Sequence, residues 1–146
     1  MSMLSRRSFL VLGGVAIGVG VLGAFNRRSS EAATMTPEEA LAAAATGDIL
    51  LVDIRRPDEW QKTGVPQHAV AFDMRDDSFL QNIRDARAST GQPVAVICAR
   101  GVRSARITNQ LDVAGIRPII DIPEGMLGSF AGPGWLERGL PVVEVN

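Results

Sequence analysis

Past the middle of the chain stands the run Pro93-Val94-Ala95-Val96-Ile97-Cys98-Ala99-Arg100-Gly101-Val102-Arg103-Ser104. Its first five residues are apolar, which is typical of a strand buried on both faces of a sheet. Residues 103–114 then place Ile107 and Leu111 on one side, which predicts a helix that Gly115 closes. A strand, a short loop and a helix in this order predict one βα unit of a parallel sheet.

The same alternation of strand and helix continues on both sides of this unit. Apolar and periodic runs predict strands at 49–52, 69–72 and 118–122 and helices at 37–46 and 76–88. Gly64-Val65-Pro66 is typical of a turn, and the small and polar residues 26–35 indicate a linker. The predicted fold class is therefore α/β, a parallel sheet flanked by helices on both faces.

Composition and charge exclude several classes of function. The chain has 146 residues, 46% of them hydrophobic, which is enough for one domain with its own hydrophobic core. Four arginines and one glutamate lie in residues 1–32, so the rest of the chain has 11 basic and 15 acidic residues and a net charge of −4. No basic face for nucleic acid is expected from this balance. One cysteine and one histidine predict neither an internal disulfide nor a metal site, and no cofactor is expected.

Cys98 falls where the predicted strand ends and the predicted helix begins. A helix start offers unpaired backbone N–H groups and the positive end of a dipole. Between two arginines, such a thiol is expected to be held partly as thiolate, the nucleophilic form. The alternative is a buried cysteine that only fills the core. Asp53 and Asp121 also follow predicted strands, at the edge of a parallel sheet where ligands bind.

The N-terminal residues have the features of an export signal. Ser5-Arg6-Arg7-Ser8-Phe9-Leu10 leads into an uncharged run, residues 9–25, with five glycines. This pattern resembles the twin-arginine signal. The alternative is an ordinary transmembrane anchor, but seventeen residues are at the lower limit for crossing a bilayer. We expect residues 1–32 to be a signal sequence or an uncleaved anchor with linker, and the protein to be periplasmic, with residues 9–25 as an alternative tether to the inner membrane.

The order of residues over 36–145 resembles that of a single rhodanese domain. The features that carry the resemblance are Leu51-Val52-Asp53-Ile54-Arg55, Pro57-Asp58-Glu59-Trp60, Gly64-Val65-Pro66 with Ala69, the Cys-x-x-Gly-x-Arg-Ser loop at 98–104, and Gly139-Leu140-Pro141-Val142. The resemblance implies a domain over residues 36–146, with a five-stranded parallel sheet between helices. It also implies a catalytic Cys98 that cycles through a persulfide.

The loop after Cys98 is the expected binding site for an anion. The residues whose backbone N–H groups are expected to surround the sulfur are Ala99, Arg100, Gly101, Val102, Arg103 and Ser104. Gly101 is expected to adopt a backbone angle that other residues resist. Arg103 is expected to serve an anion or a carboxylate, and Arg100 is either a thiosulfate contact or a surface charge.

Residues outside the loop complete the predicted site. Asp53 is expected either to bind loop N–H groups or Arg103 or simply to cap a turn, and Arg55 to reach the mouth of the pocket. His68 stands where the family has a turn glycine, and it is interpreted as a turn residue rather than a base. Trp60 and Trp135 are interpreted as core residues rather than ligand contacts.

Three functions fit these features. The first is a sulfurtransferase that moves sulfane sulfur from a small donor such as thiosulfate to cyanide or a thiol, with a protein thiol as a further candidate partner. The second is a persulfide carrier or docking module without turnover of its own. The third is a phosphatase or arsenate reductase of related fold. The six positions from Cys98 to Arg103 look like the sulfurtransferase loop, whereas the phosphatase relatives use a longer one.

Overall fold

Five parallel strands form the central sheet of the computed structural model, which describes residues 32–145. In chain order the strands are β1 (Ala33–Thr34), β2 (Leu50–Asp53), β3 (Val65–Pro66), β4 (Val70–Ala71), β5 (Val94–Ile97), β6 (Ile119–Asp121) and β7 (Val142–Val143). The helices are α1 (Pro37–Ala45), α2 (Pro57–Thr63), α3 (Phe79–Ala86) and α4 (Val102–Val113). The sheet order is β1-β6-β5-β2-β4, and β3 pairs with β7 in a separate antiparallel ribbon. The predicted α/β fold, a five-stranded parallel sheet flanked by helices, is confirmed.

The two central strands are buried on both faces, as their continuous apolar sequence predicts. β2 pairs with β5 from Leu50 opposite Val94 to Asp53 opposite Ile97. Side chains alternate between two cores: Val94 and Val96 pack with the apolar face of α4, while Ala95 and Ile97 pack with Trp135. The sheet therefore has one hydrophobic core on each side, and the end of β5 is held between neighbours.

The helix boundaries follow local signals in the sequence. α1 begins at a capping box in which Thr36 and Glu39 satisfy each other's backbone N–H groups. Gly47, just past its end, has a φ of 77°, as expected of a glycine that closes a helix. α4 begins at Val102, one residue before the predicted start, and Gly115 follows it with a φ of 74°. The α3 helix is shorter than the predicted span of 76–88.

Two short strands lie where the sequence predicts a linker and a turn. Ala33–Thr34 pairs with β6 as the fifth strand of the sheet, although residues 26–35 have the composition of a linker. Val65–Pro66 pairs with β7 rather than forming only a turn. Two-residue strands show no periodicity in their own sequence, so only the pairing with a distant segment reveals them.

Apart from Ala32, the predicted export signal or anchor with linker, residues 1–32, lies outside the described residues. Across residues 32–145, no helix has the length and apolar character needed to cross a membrane.

Candidate active site around Cys98

Cys98 lies directly after β5, at the carboxyl end of the central strand. The strand register places Asp53 opposite Ile97 on one side and Asp121 opposite Val96 on the other. All three polar side chains therefore emerge at one edge of the sheet, where parallel α/β folds bind ligands. This confirms the predicted placement of Asp53, Cys98 and Asp121.

The sulfur of Cys98 faces the backbone of the loop that follows it. The N–H of Gly101 donates to Sγ at 3.1 Å and the N–H of Ser104 at 3.4 Å. The thiol also lies 3.6 Å from the hydroxyl oxygen of Ser104. Two of the six expected loop amides thus contact the sulfur. They are the N–H of Gly101, just before α4, and the N–H of Ser104, in the first turn of that helix. Among the described residues, no hydrogen bond joins Sγ to the amides of Ala99, Arg100, Val102 or Arg103.

The thiol is nevertheless well shielded from solvent. Cys98 is 1% exposed and belongs to the same core cluster as Val96 and Ile107. The cysteine therefore fills space in the core, as the alternative interpretation expects, and its sulfur also accepts two backbone hydrogen bonds at the start of α4.

Gly101 has the backbone conformation that the loop requires. Its φ is 81°, in the left-handed region that favours glycine. A Cβ at this position would collide with the carbonyl oxygen of Pro123. The expectation for Gly101 is confirmed, with an additional steric reason that the sequence does not show.

The segment after β6 covers the loop, and sequence reasoning missed this role. The N–H of Met126 donates to the carbonyl of Cys98, and that of Leu127 to the carbonyl of Ala99, both at 2.9 Å. Gly125 has a φ of 68°, and a Cβ there would lie 2.5 Å from the carbonyl oxygen of Ala99. The glycine at position 125 is the one sequence signal that points to this contact. The close approach of two backbones explains it.

Arg103 is bound by a carboxylate from another helix. Its Nη2 donates to Oε1 of Glu59 at 2.6 Å and its Nη1 to Oε2 at 2.8 Å. The bond from Arg103 lowers the pKa of Glu59, and Glu59 in turn raises the pKa of Arg103. The expectation that Arg103 serves a carboxylate or an anion is confirmed as a carboxylate. Glu59 belongs to the quoted Pro57–Trp60 motif but was not identified as a site residue.

This pair should make part of the stability of the fold depend on pH. The pKa of Glu59 is lower in the folded chain than its ordinary value of 4.5. The contribution of the ion pair to the stability of the fold is therefore fully present above that value, and it is lost as the pH falls through the folded pKa. We expect Glu59→Gln to lower the free energy of unfolding at neutral pH by about 1 kcal/mol, since solvent screens part of the interaction. Urea unfolding at neutral and acidic pH measures the difference.

The matched control is Asp58→Asn, which removes an exposed carboxylate from the same helix. That variant should leave the free energy of unfolding nearly unchanged at both pH values. A loss in Glu59→Gln that is equally large in acid would contradict the assigned role of the carboxylate.

Asp53 and Arg55 form a buried ion pair. The Nη2 of Arg55 donates to Oδ2 of Asp53 at 2.7 Å and to the carbonyl of Gly64 at 2.8 Å. Asp53 also accepts the backbone N–H of Arg55 at 3.0 Å, which is the turn-capping alternative. Arg55 is 1% exposed, so the expectation that it reaches the mouth of the pocket is wrong. A carboxylate two residues earlier draws the guanidinium inward, towards Thr63 and Gly64.

A surface groove of about 720 Å³ runs beside the loop. Its lining includes Arg100 and Val102 from the loop and α4, and Leu127 and Phe130 from the covering segment. Arg100 is exposed, and its guanidinium donates to the carbonyls of Leu127 and Gly128, both at 3.3 Å. This arginine therefore places a positive charge at the rim of the groove.

The residues that the sequence assigns to a turn or to the core lie where it predicts them. His68 has a φ of 67°, the left-handed conformation of the turn glycine whose place it takes, so its interpretation as a turn residue is confirmed. Trp60 and Trp135 are buried, as predicted. In the part of the chain that the structure describes, no cluster of three or more His, Cys, Asp or Glu side chains is placed to hold a metal ion.

Comparison with known proteins assigns the chain to a family. The model of the rhodanese-like domain matches residues 36–128. Among solved structures, Rv0390 from M. tuberculosis is 29% identical with a TM-score of 0.61, covering 80% of this chain and 100% of that one.

Two further structures share the fold at 24% identity. The polysulfide-sulfur transferase homodimer of Wolinella succinogenes has a TM-score of 0.61, with 80% of this chain and 81% of that chain covered. A Rhodopseudomonas palustris protein of unknown function, described as a possible tyrosine phosphatase, has a TM-score of 0.59, with 78% and 86% covered. With the family model matching well over half of its length, this chain belongs to the rhodanese-like domain family.

Proposed function

We propose that the protein is a sulfurtransferase that moves sulfane sulfur from a donor such as thiosulfate to a thiophilic acceptor through a persulfide on Cys98. The observation that carries the proposal is the position of Sγ, which accepts two backbone N–H groups at the start of a helix. These donors stabilise negative charge on the sulfur. The same donors are available to the terminal sulfur of a persulfide or to a departing oxyanion.

The reaction needs two displacements at sulfur. In the first, the thiolate of Cys98 attacks the outer sulfur of thiosulfate, a new S–S bond forms, and sulfite leaves with the electron pair of the old one. In the second, an acceptor such as cyanide attacks the outer sulfur of the persulfide, and Cys98 leaves as thiolate. The protein ends in its starting state, so it needs no oxidant or reductant.

The charges around the loop support an anionic donor. Arg100 lies at the rim of the groove with its guanidinium exposed, where it can attract an oxyanion. Arg103, the other arginine of the loop, is neutralised by its pair with Glu59, so the free positive charge here is that of Arg100. The polysulfide-sulfur transferase from Wolinella succinogenes, which has the same fold, adds support for sulfur chemistry.

The burial of Cys98 favours a second candidate. A thiol that is 1% exposed suits a persulfide carrier whose sulfur becomes accessible only when a partner protein docks. In that case a protein thiol is the natural acceptor, and small acceptors react slowly.

Steady-state assays separate these functions. The full chain with thiosulfate and cyanide should form thiocyanate over many turnovers. Phosphate-ester hydrolysis, measured with the same protein, should remain at background, because the six-position loop looks like that of sulfurtransferases. One equivalent of loaded sulfur without turnover would favour the carrier. Ester hydrolysis that depends on Cys98, without thiocyanate, would overturn the proposal.

We also propose export by the twin-arginine route, on the strength of Ser5-Arg6-Arg7-Ser8-Phe9-Leu10 and the glycine-containing run after it. Replacing Arg6 and Arg7 with lysine should retain the protein in the cytoplasm on cell fractionation. Normal export of that variant would refute the route. Retention of the exported protein in the membrane fraction would favour the tether by residues 9–25.

A further inference from the structure

An exposed phenylalanine stands beside the loop that holds Cys98. Phe130 lies in the segment that covers this loop, and its side chain is fully exposed. Leu127 and Val102 are exposed as well, and they line the same groove of about 720 Å³. Exposed apolar side chains that cluster in one concave surface commonly mark a binding site, whereas small substrates such as thiosulfate and cyanide have no use for them.

The segment that carries Phe130 is anchored to the body of the domain. The buried carboxylate of Glu124 accepts two N–H groups of Arg138, each at 2.7 Å. The hydroxyl of Ser129 donates to the carbonyl of Pro123 at 2.6 Å. The aromatic ring is therefore presented on a segment that these bonds hold in place, so a partner that packs against it does not have to order the segment first.

The groove also contains two charges without partners. Arg100 and Glu137 both line it and are exposed, and neither forms a salt bridge with any of residues 32–145. Arg100 stands one residue before Gly101, whose N–H lies 3.1 Å from the sulfur of Cys98. The positive charge is thus fixed beside the reacting sulfur by the chain itself, and it favours a carboxylate on the incoming acceptor.

This combination fits a protein segment better than a membrane surface. Beyond residue 32 the chain has 11 basic and 15 acidic residues, and Glu137 adds a carboxylate to the groove itself. Both features repel anionic lipid headgroups. A peptide segment, by contrast, can place an apolar side chain against Phe130 and a carboxylate at Arg100 with two neighbouring residues.

We propose that the groove binds the sulfur acceptor, a cysteine on a partner protein, in a segment with an acidic residue for Arg100 and an apolar residue for Phe130. The acceptor thiol first loses its proton to solvent. Its thiolate attacks the outer sulfur of the Cys98 persulfide, a new S–S bond forms, and Cys98 leaves as thiolate with the electron pair of the old bond. The inference rests on the proposed function, because it names the acceptor class of that reaction.

Transfer from the loaded full chain in a single turnover isolates this step. The protein is treated with thiosulfate, freed of excess reagent and mixed with capped five-residue peptides that have a central cysteine. The acidic peptide has glutamate and leucine before the cysteine. The basic peptide has lysine in place of glutamate, and the polar peptide has serine in place of leucine. Loss of the added sulfur, followed by intact mass, gives each rate. Ratios are compared between variants, because a neighbouring charge also changes the pKa of the peptide thiol.

Reversal of the charge at position 100 tests the carboxylate contact. Arg100→Glu should shift the ratio of the acidic to the basic peptide rate roughly 10-fold or more towards the basic peptide, since an attraction worth up to about 5-fold becomes a repulsion. Arg100→Gln keeps a donor for the carbonyls of Leu127 and Gly128 that Arg100 binds. It should give an intermediate shift, and it carries the test if the glutamate variant does not fold. High salt should reduce both shifts.

Removal of the aromatic ring tests the apolar contact. Phe130→Ser should slow transfer to the acidic peptide roughly 10-fold, as expected for loss of one well-packed anchor, and it should leave transfer to the polar peptide near the parent rate. Val113→Ser is the matched control, because Val113 is also exposed but lies at the other end of α4, outside the groove. It should transfer to every peptide at the parent rate. Thermal unfolding checks that both variants are folded.

Binding can be measured without any sulfur donor. The acidic peptide with serine in place of its cysteine, titrated into the ¹⁵N-labelled full chain, should shift amide resonances at 100–102 and 127–133. Rate ratios that depend on neither Arg100 nor Phe130 would overturn the docking surface. Binding to phosphatidylethanolamine vesicles, or dimerisation, that is lost in Phe130→Ser and occurs without these peptide shifts would also overturn it, because a membrane or a second copy would then cover the groove.

The outcomes separate this inference from the proposed function. Failure of thiosulfate to load sulfur, with the peptide shifts present and lost in Phe130→Ser, would overturn the sulfurtransferase function and leave the docking surface standing. Loading of sulfur, with turnover to cyanide but no dependence on the peptide, would overturn the docking surface and leave the sulfurtransferase function standing.

Discussion

Cys98→Ser should abolish sulfur transfer, with a loss of turnover on the order of 10⁴-fold or more. A serine hydroxyl is a far weaker nucleophile near neutral pH, and its oxygen cannot carry the transferred sulfur as a persulfide. The chain contains no other cysteine to take over the role. Thiocyanate formation from thiosulfate and cyanide measures the loss directly.

The fold itself should tolerate this substitution. A serine oxygen can still accept the N–H groups of Gly101 and Ser104 that now contact the sulfur. Circular dichroism and thermal unfolding should therefore resemble those of the parent. Turnover of the serine variant within tenfold of the parent would contradict the assignment of Cys98 as the nucleophile.

Gly101→Ala should be the second most damaging change, lowering turnover roughly 10²- to 10³-fold, the usual cost of one lost oxyanion donor. The backbone at φ 81° resists any Cβ, and the added atom would collide with the carbonyl oxygen of Pro123. The loop must shift to relieve the collision. The N–H that lies 3.1 Å from Sγ then moves away from the sulfur.

Gly115→Ala is a matched control for this substitution. Gly115 has a φ of 74°, and a Cβ there would meet no atom within 4 Å. The control adds the same methyl group and a similar backbone strain of about 1 kcal/mol or more, at the other end of α4. It should lose stability while its turnover stays at the parent level. Equal turnover in the two alanine variants would show that the loop geometry at Gly101 does not matter to the reaction.

The parts of the fold that the sequence predicts correctly are those indicated by residues close together in the chain. The buried strands β2 and β5 are continuous apolar runs, and α1 has its capping box at Thr36. The loop after Cys98 has a cysteine, a glycine and a helix start at fixed spacing, and the left-handed conformation of Gly101 agrees with the expectation from that spacing. Each of these depends on residues that lie close together in the chain.

The parts that were missed depend on contacts between distant segments. β1 consists of two residues that become a strand only by pairing with β6. The segment that covers the loop is held by hydrogen bonds from the backbone N–H groups of Met126 and Leu127. Such bonds do not depend on the type of side chain, so the sequence does not reveal them. Arg103 forms its hydrogen bonds with Glu59, a residue 44 positions earlier in the chain. The side chain of Arg55 turns inward because the hydroxyl of Thr63 and the carbonyl of Gly64 accept its other hydrogen bonds.

The intact mass of the full chain after treatment with thiosulfate and removal of excess reagent tests the central claim most directly. A persulfide on Cys98 predicts a gain of one sulfur atom, which cyanide removes and which Cys98→Ser does not acquire. An unchanged mass in the folded parent protein, or the same gain in the serine variant, would contradict a sulfur-carrying Cys98.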